Sequence, residues 1–157
     1  MTKTLRPLDE LSMPVLLRRA RNTYGSVMRT ALADAGYEDI PKSGLYVIGG
    51  LALQRGGRPL SQLIEELKIS KQAAGQLVDT LVVRGYLKRE VNPEDRRKLT
   101  VALTDRGRAA AKVVAAARAM VDTELLSRAR AKDVERTRRT LSILVDIGNE
   151  LNTQDDD

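Results

Sequence analysis

Within the stretch Leu81 to Gly107, LVVRGYLKREVNPEDRRKLTVALTDRG, the hydrophobic period changes from helical to strand-like, and few folds accept that pattern. Leu77, Leu81 and Val82 fall at helical spacing, and Gly85 follows as the residue best suited to the left-handed turn that closes a helix. Leu87, Arg89 and Val91 then alternate with Lys88 and Glu90. After a polar interruption, Leu99, Val101 and Leu103 alternate with Lys98, Thr100 and Ala102, the two-residue period of paired strands. Asn92 to Arg97 forms the turn. Its Asn-Pro pair stops the first strand, and Glu94 and Asp95 directly precede Arg96, Arg97 and Lys98, so one carboxylate can lock the turn while cations point outward. A cationic hairpin tip suits the minor groove of duplex DNA, where negative potential is concentrated.

Charge supports this reading. The chain carries a net charge of +6, and residues 68–108 hold ten Lys or Arg against five Asp or Glu, so most of the excess sits on one segment. A membrane surface is the competing polyanion. With neither Trp nor Phe, no basic amphipathic stretch can anchor in a lipid interface. Without Cys there is no disulfide, thiolate zinc site or thiol redox sensor, and without His there is no histidine triad or imidazole ligand. Neither a nucleophile motif, a phosphate loop nor a metal-ligand spacing is present, so no enzymatic activity, cofactor or metal is expected. The early segment alternates Leu with Asp, Glu and Arg and carries no apolar run of signal-peptide length, which predicts a cytoplasmic protein.

Along the chain, the recurrence of Leu8, Leu11, Val15, Leu16, Ala20, Val27, Ala31 and Leu32 predicts one long amphipathic helix over about 8–35, ended by Gly36. A second helix is expected over Gly44 to Leu53, followed by QRGGRP as a breaker. Ser61 is placed as the N-cap of a short third helix whose Leu63, Ile64 and Leu67 face inward. A fourth helix begins near Ser70 after the tight LKIS link. Beyond the hairpin, Thr104 caps an Ala-rich helix running to about Leu126, and a last helix spans about Asp133 to Leu151, leaving residues 152–157 as a frayed tail.

This order is that of a mainly α, α+β winged helix-turn-helix over about 44–103, flanked by long terminal helices at about 8–35 and 104–151 in a single domain. The terminal stripes exceed what the small central module can cover, so pairing with a second copy is expected, with two DNA-reading helices about 34 Å apart on a palindromic site. Ala74, Leu77, Val78 and Leu81 form the buried face of the fourth helix. Ser70, Lys71, Gln72, Gly75, Gln76 and Asp79 lie on or near the open one. Gln72 and Gln76 suit adenine, Lys71 suits guanine or phosphate, Ser70 caps the helix, and Gly75 permits close backbone approach. The alternative is a helical protein-interaction adaptor whose winged module does not read DNA sequence.

From about Leu8 to Leu151 the chain resembles the MarR family of transcriptional regulators. Pro93 to Gly107, PEDRRKLTVALTDRG, is similar to that family's Asp-x-Arg wing motif and the following Leu-Thr-x-x-Gly, and LVVRGYLKR, Leu81 to Arg89, to the stretch before it. The resemblance implies a homodimeric regulator, most often a repressor, that small and frequently phenolic organic ligands release from operator DNA. It implies that Asp95 stabilises the wing by pairing with one arginine while the other, of Arg96 and Arg97, enters the minor groove beside Lys98. It also places Tyr24 and Tyr46 on pocket-lining helices, with Arg21 and Met28 completing an anion-tolerant, partly apolar site.

Overall fold

The computed structural model describes residues 7–53, 58, 59, 61, 62, 65, 68–91 and 99–154, excepting the side chains of Pro7, Asp9, Arg58, Pro59, Leu99 and residues 152–154. The chain forms two compact units, residues 1–118 and 119–157. In the first, a 3-10 turn at Pro7–Glu10 precedes α1, Met13–Asp34. The helix expected from Leu8 therefore starts five residues later. Pro14 accounts for the difference: it is favourable in the first turn, where its missing N–H is no loss, but inside a continuous helix its ring would strike the carbonyl of Glu10. At the far end Gly36 takes φ +82°, with Gly36 N–H donating to Ala33 O (3.0 Å) and Tyr37 N–H to Leu32 O (2.8 Å), the paired bonds of a glycine-closed helix.

Helix α2, Gly44–Ala52, buries Leu45, Val47, Ile48 and Leu51. The breaker that follows contains a strand: β1, Arg58–Pro59, joins a sheet of order β1-β3-β2 with β2, Leu87–Val91, and β3, Leu99–Leu103, all antiparallel. Pro59 is tolerated there because β1 is an edge strand. Ser61 is already helical, as are Gln62 and Glu65, so Ser61 is not a cap; Leu63, Ile64 and Leu67 lie outside the described residues. Helix α3 spans Lys71–Val83 and α4 spans Asp105–Arg128, two residues beyond the expected end. Thr104 caps α4, its Oγ1 accepting from Gly107 N–H at 3.0 Å.

One core unites these elements. Leu45 and Ile48 from α2, Val78 and Leu81 from α3, Leu87 and Val101 from the sheet and Met28 and Leu32 from α1 pack around the fully buried Tyr86. Helix α4 contributes Gly107, Ala110, Ala111, Val114 and Ala117, a stripe at helical spacing made almost wholly of small side chains. The strand alternation holds less well on β2: Leu87 is buried, but Arg89 and Val91 on the same face are exposed, and Arg89 reaches Asp79 of α3 while its cross-strand neighbour Val101 is buried.

The second unit contains the rest of α4 and α5, Ala131–Gln154, which begins two residues before its expected start and continues three past Leu151. None of its described residues is buried. Met120, Leu125, Leu126, Leu144, Ile147 and Leu151 all stand exposed.

Candidate nucleic-acid interface

Helix α3 has the two-sided character its sequence predicts. Ala74, Leu77, Val78 and Leu81 are buried, and Lys71, Gln72 and Gln76 are exposed. Ser70, extended at φ −60°, ψ 152°, caps the first turn by accepting from Ala73 N–H at 3.1 Å. Gly75 is half-buried, and a Cβ there would meet nothing within 4 Å. The outer surface of α3 is thus open backbone and uncommitted polar side chains: Lys71, Gln72 and Gln76 have no side-chain partner among the described residues. The link before the helix turns sharply at Lys68, which adopts φ +50°.

The hairpin leads away from the end of this helix. Antiparallel pairing runs from Leu87↔Leu103 to Val91↔Leu99, which places the turn at 92–98. Asp95, Arg96, Arg97 and Lys98 lie outside the described residues, so only the strands that carry them are placed. Asp79 on α3 pairs with Arg89 on β2, a cross-brace between helix and hairpin that the sequence reading missed. Ten residues separate the two, and no local spacing rule reports such a pair.

At the junction of α3 and β2, Gly85 takes φ +76° and Tyr86 turns inward. The Tyr86 hydroxyl donates to the Asp39 carboxylate, and Arg106 donates to the Tyr86 hydroxyl at 3.0 Å while lying 4.6 Å from its ring centroid. Burial, followed by the Asp39 hydrogen bond, pushes the Tyr86 phenol above its ordinary value near 10.

The four residues expected to bind a ligand lie on α1 and α2. Arg21 stacks on Tyr46 with 4.9 Å to the ring centroid, Gly25 makes room for the Tyr46 hydroxyl, and Met28 belongs to the core. Tyr24 packs against that core. A cavity of about 590 Å³ lies elsewhere in the first unit, between α2, the hairpin strands and α4. Leu51, Leu103 and Val114 supply apolar wall, and Lys88, Arg108 and Lys112 bring positive charge against the single carboxylate of Glu90. The basic residues of KREV and RGRAAAK were the available signal; their convergence depends on the fold.

A helix-turn-helix with an antiparallel wing and an open polar helix face defines the winged helix-turn-helix class of DNA-binding domain. Residues 45–98 match the MarR family. The solved structures agree in fold: Streptococcus pneumoniae FabT in complex with DNA is 17% identical at a TM-score of 0.74, covering 88% of this chain and 96% of that one. The S. aureus MepR–DNA complex is 17% identical at 0.71, covering 87% and 98%, and E. coli MarR in its apo form is 20% identical at 0.63, covering 85% and 96%. No curated protein matches the chain in sequence. The match to the MarR family thus covers the segment from α2 through the hairpin, and over most of the chain the fold is that of these solved structures. No described helix is long and apolar enough to cross a membrane.

Proposed function

We propose that this protein is a homodimeric repressor that binds a palindromic operator and is released by a small phenolic or anionic organic ligand. The observation that carries the DNA reading is the outer face of α3, where Lys71, Gln72 and Gln76 stand exposed around an unobstructed Gly75. Glutamine can present a donor and an acceptor together to adenine, and lysine reaches guanine or phosphate. The capped N-terminus at Ser70 adds N–H groups for a phosphate, and Arg96, Arg97 and Lys98 at the wing supply minor-groove and backbone contacts with Asp95 holding the turn.

Dimerisation is supported by the second unit. Leu141, Leu144, Gly148 and Leu151 recur along α5 at spacings of three and four residues, yet no described side chain of this helix is buried. An apolar stripe of that length is covered most simply by its own copy across a two-fold axis. The ligand reading rests on the cavity. Its volume is within the range of small-molecule sites, its walls are largely apolar, and cations converge on it. A ligand there would touch the hairpin strands themselves, a direct route from occupancy to the wing. The protein is expected to act in the cytoplasm, where chromosomal DNA is.

The test is selection of bound duplexes from random DNA followed by a salt titration on the winner. A palindrome with half-sites about ten base pairs apart and a steep salt slope is the expected result. Weak binding that ignores both sequence and salt would refute DNA reading and favour a protein-binding role.

A further inference from the structure

Of the two acidic residues in the loop between α1 and α2, Asp39 engages three side chains from distant parts of the chain. Its carboxylate accepts from the Tyr86 hydroxyl and pairs with Arg106 at 3.4 Å, and its backbone carbonyl accepts from the Arg84 guanidinium. Arg84 is the residue that closes α3, Tyr86 is the next but one, and Arg106 lies in the first turn of α4. Tyr37 of the same loop packs edge-on against Tyr86 at 6.1 Å between centroids. From its other side the junction is held by Thr104, whose Oγ1 donates to Tyr86 O at 3.1 Å and whose N–H donates to the same oxygen at 3.0 Å. The carboxy-terminal end of α3 is therefore clamped between a neutral backbone network and a charged one centred on Asp39.

We propose that Asp39 is a positioning residue for DNA reading, holding the end of α3 at the angle that presents Lys71, Gln72 and Gln76 to the major groove. This rests on the DNA-reading face proposed above. A helix whose last turn is fixed and whose outer face is open is aimed by its anchor. Asp39 reaches that anchor at both Arg84 and Tyr86 without standing on α3, so it aims the helix without touching DNA. Misaiming reduces contacts to base edges, which demand bidentate geometry, more than contacts to phosphates, which tolerate it. Asp39 therefore affects discrimination rather than overall affinity.

The experiment compares Asp39→Ala, Asp39→Asn and Tyr86→Phe with the wild-type protein on the selected operator and on a scrambled duplex. Hydrogen exchange is followed at the Arg84, Gly85 and Tyr86 amides, which close α3 onto Thr80, Val82 and Leu81. Asp39→Ala is expected to weaken operator binding about tenfold with scrambled-duplex binding and salt slope unchanged, and to speed exchange at the three amides. Asp39→Asn keeps an acceptor for Tyr86 and should recover part of both effects. Wild-type operator affinity in Asp39→Ala, or an equal loss on both duplexes, would overturn the proposal. Should the wild-type protein prefer no sequence, the DNA-reading face fails instead. Faster exchange in Asp39→Ala would then still support the anchor, and unchanged exchange would overturn it.

Discussion

Replacing Gly107 by alanine tests whether the hairpin and α4 are locked together by a contact that tolerates no side chain. A Cβ at this position would lie deep inside van der Waals contact with the Tyr86 carbonyl oxygen and 3.1 Å from Leu103 Cδ2. The obstructing atom is backbone, so no rotamer change relieves it; the first turn of α4 must move. That movement strains the Thr104 N–H and Oγ1 bonds to Tyr86 O, at 3.0 and 3.1 Å, and the cap from Gly107 N–H. Overpacking costs about 1–3 kcal/mol and each lost hydrogen bond about 1 kcal/mol, against a gain of up to about 1 kcal/mol from alanine's helix propensity. The net expectation is a loss of about 2–4 kcal/mol, read by denaturant unfolding at fixed protein concentration. Gly75→Ala is the control, because its Cβ enters open space: it should gain about 0.5–1 kcal/mol of stability while weakening operator binding. A Gly107→Ala protein within about 1 kcal/mol of wild type would refute the packing argument.

At the wing and α3, Arg96→Ala or Arg97→Ala should weaken operator binding by about 1–3 kcal/mol and flatten the salt slope, whereas Gln76→Ala should relax base preference and leave the slope alone; mobility-shift titrations separate the two. Leu144→Glu with Leu151→Glu, on the exposed stripe of α5, should convert the proposed dimer to monomer in sedimentation and abolish palindrome preference; an intact dimer would move the interface elsewhere. Tyr86, beside Asp39, Arg106 and Tyr37, has its phenol pushed above the ordinary value near 10, so the folded protein keeps this proton longer than the unfolded chain. The stability it contributes is present below about pH 10 and is lost as pH rises through the folded value, making wild type fall more steeply than Tyr86→Phe above about pH 10. Equal slopes would place the alkaline loss at other groups.

What the sequence announced was local. The caps at Ser70 and Thr104, the reversal at Gly85 and the buried quartet of α3 each follow from spacing within a few residues, and each stands where that spacing put it. Where local rules competed, the stronger constraint decided: apolar periodicity favoured a helix from Leu8, but a missing N–H at Pro14 fixed its start. The edge strand at Arg58–Pro59 has no periodic signature because two residues are too few to show one. The candidate ligand residues are a different case: Tyr24 and Tyr46 are placed through the family resemblance, and the stacking of Arg21 on Tyr46 joins α1 to α2 across a distance that no local spacing reports.

Asp39 marks the boundary between these kinds of information most clearly. Nothing in YEDIPKS distinguishes it from Glu38, its neighbour, and the residues it engages lie 45, 47 and 67 positions away. Only one of the two acids faces the junction. Yet the junction suits a carboxylate: Arg106 brings a guanidinium beside a buried phenol, and a phenol in that position also requires an acceptor for its proton. A pattern that looked like an ordinary helix end followed by Arg-Gly-Tyr was therefore half of a polar network whose other half precedes α2. The two halves are joined by α2 and α3 packing through Leu45, Ile48, Val78 and Leu81. The apolar faces that define the fold thus also bring together the charges that aim its polar face.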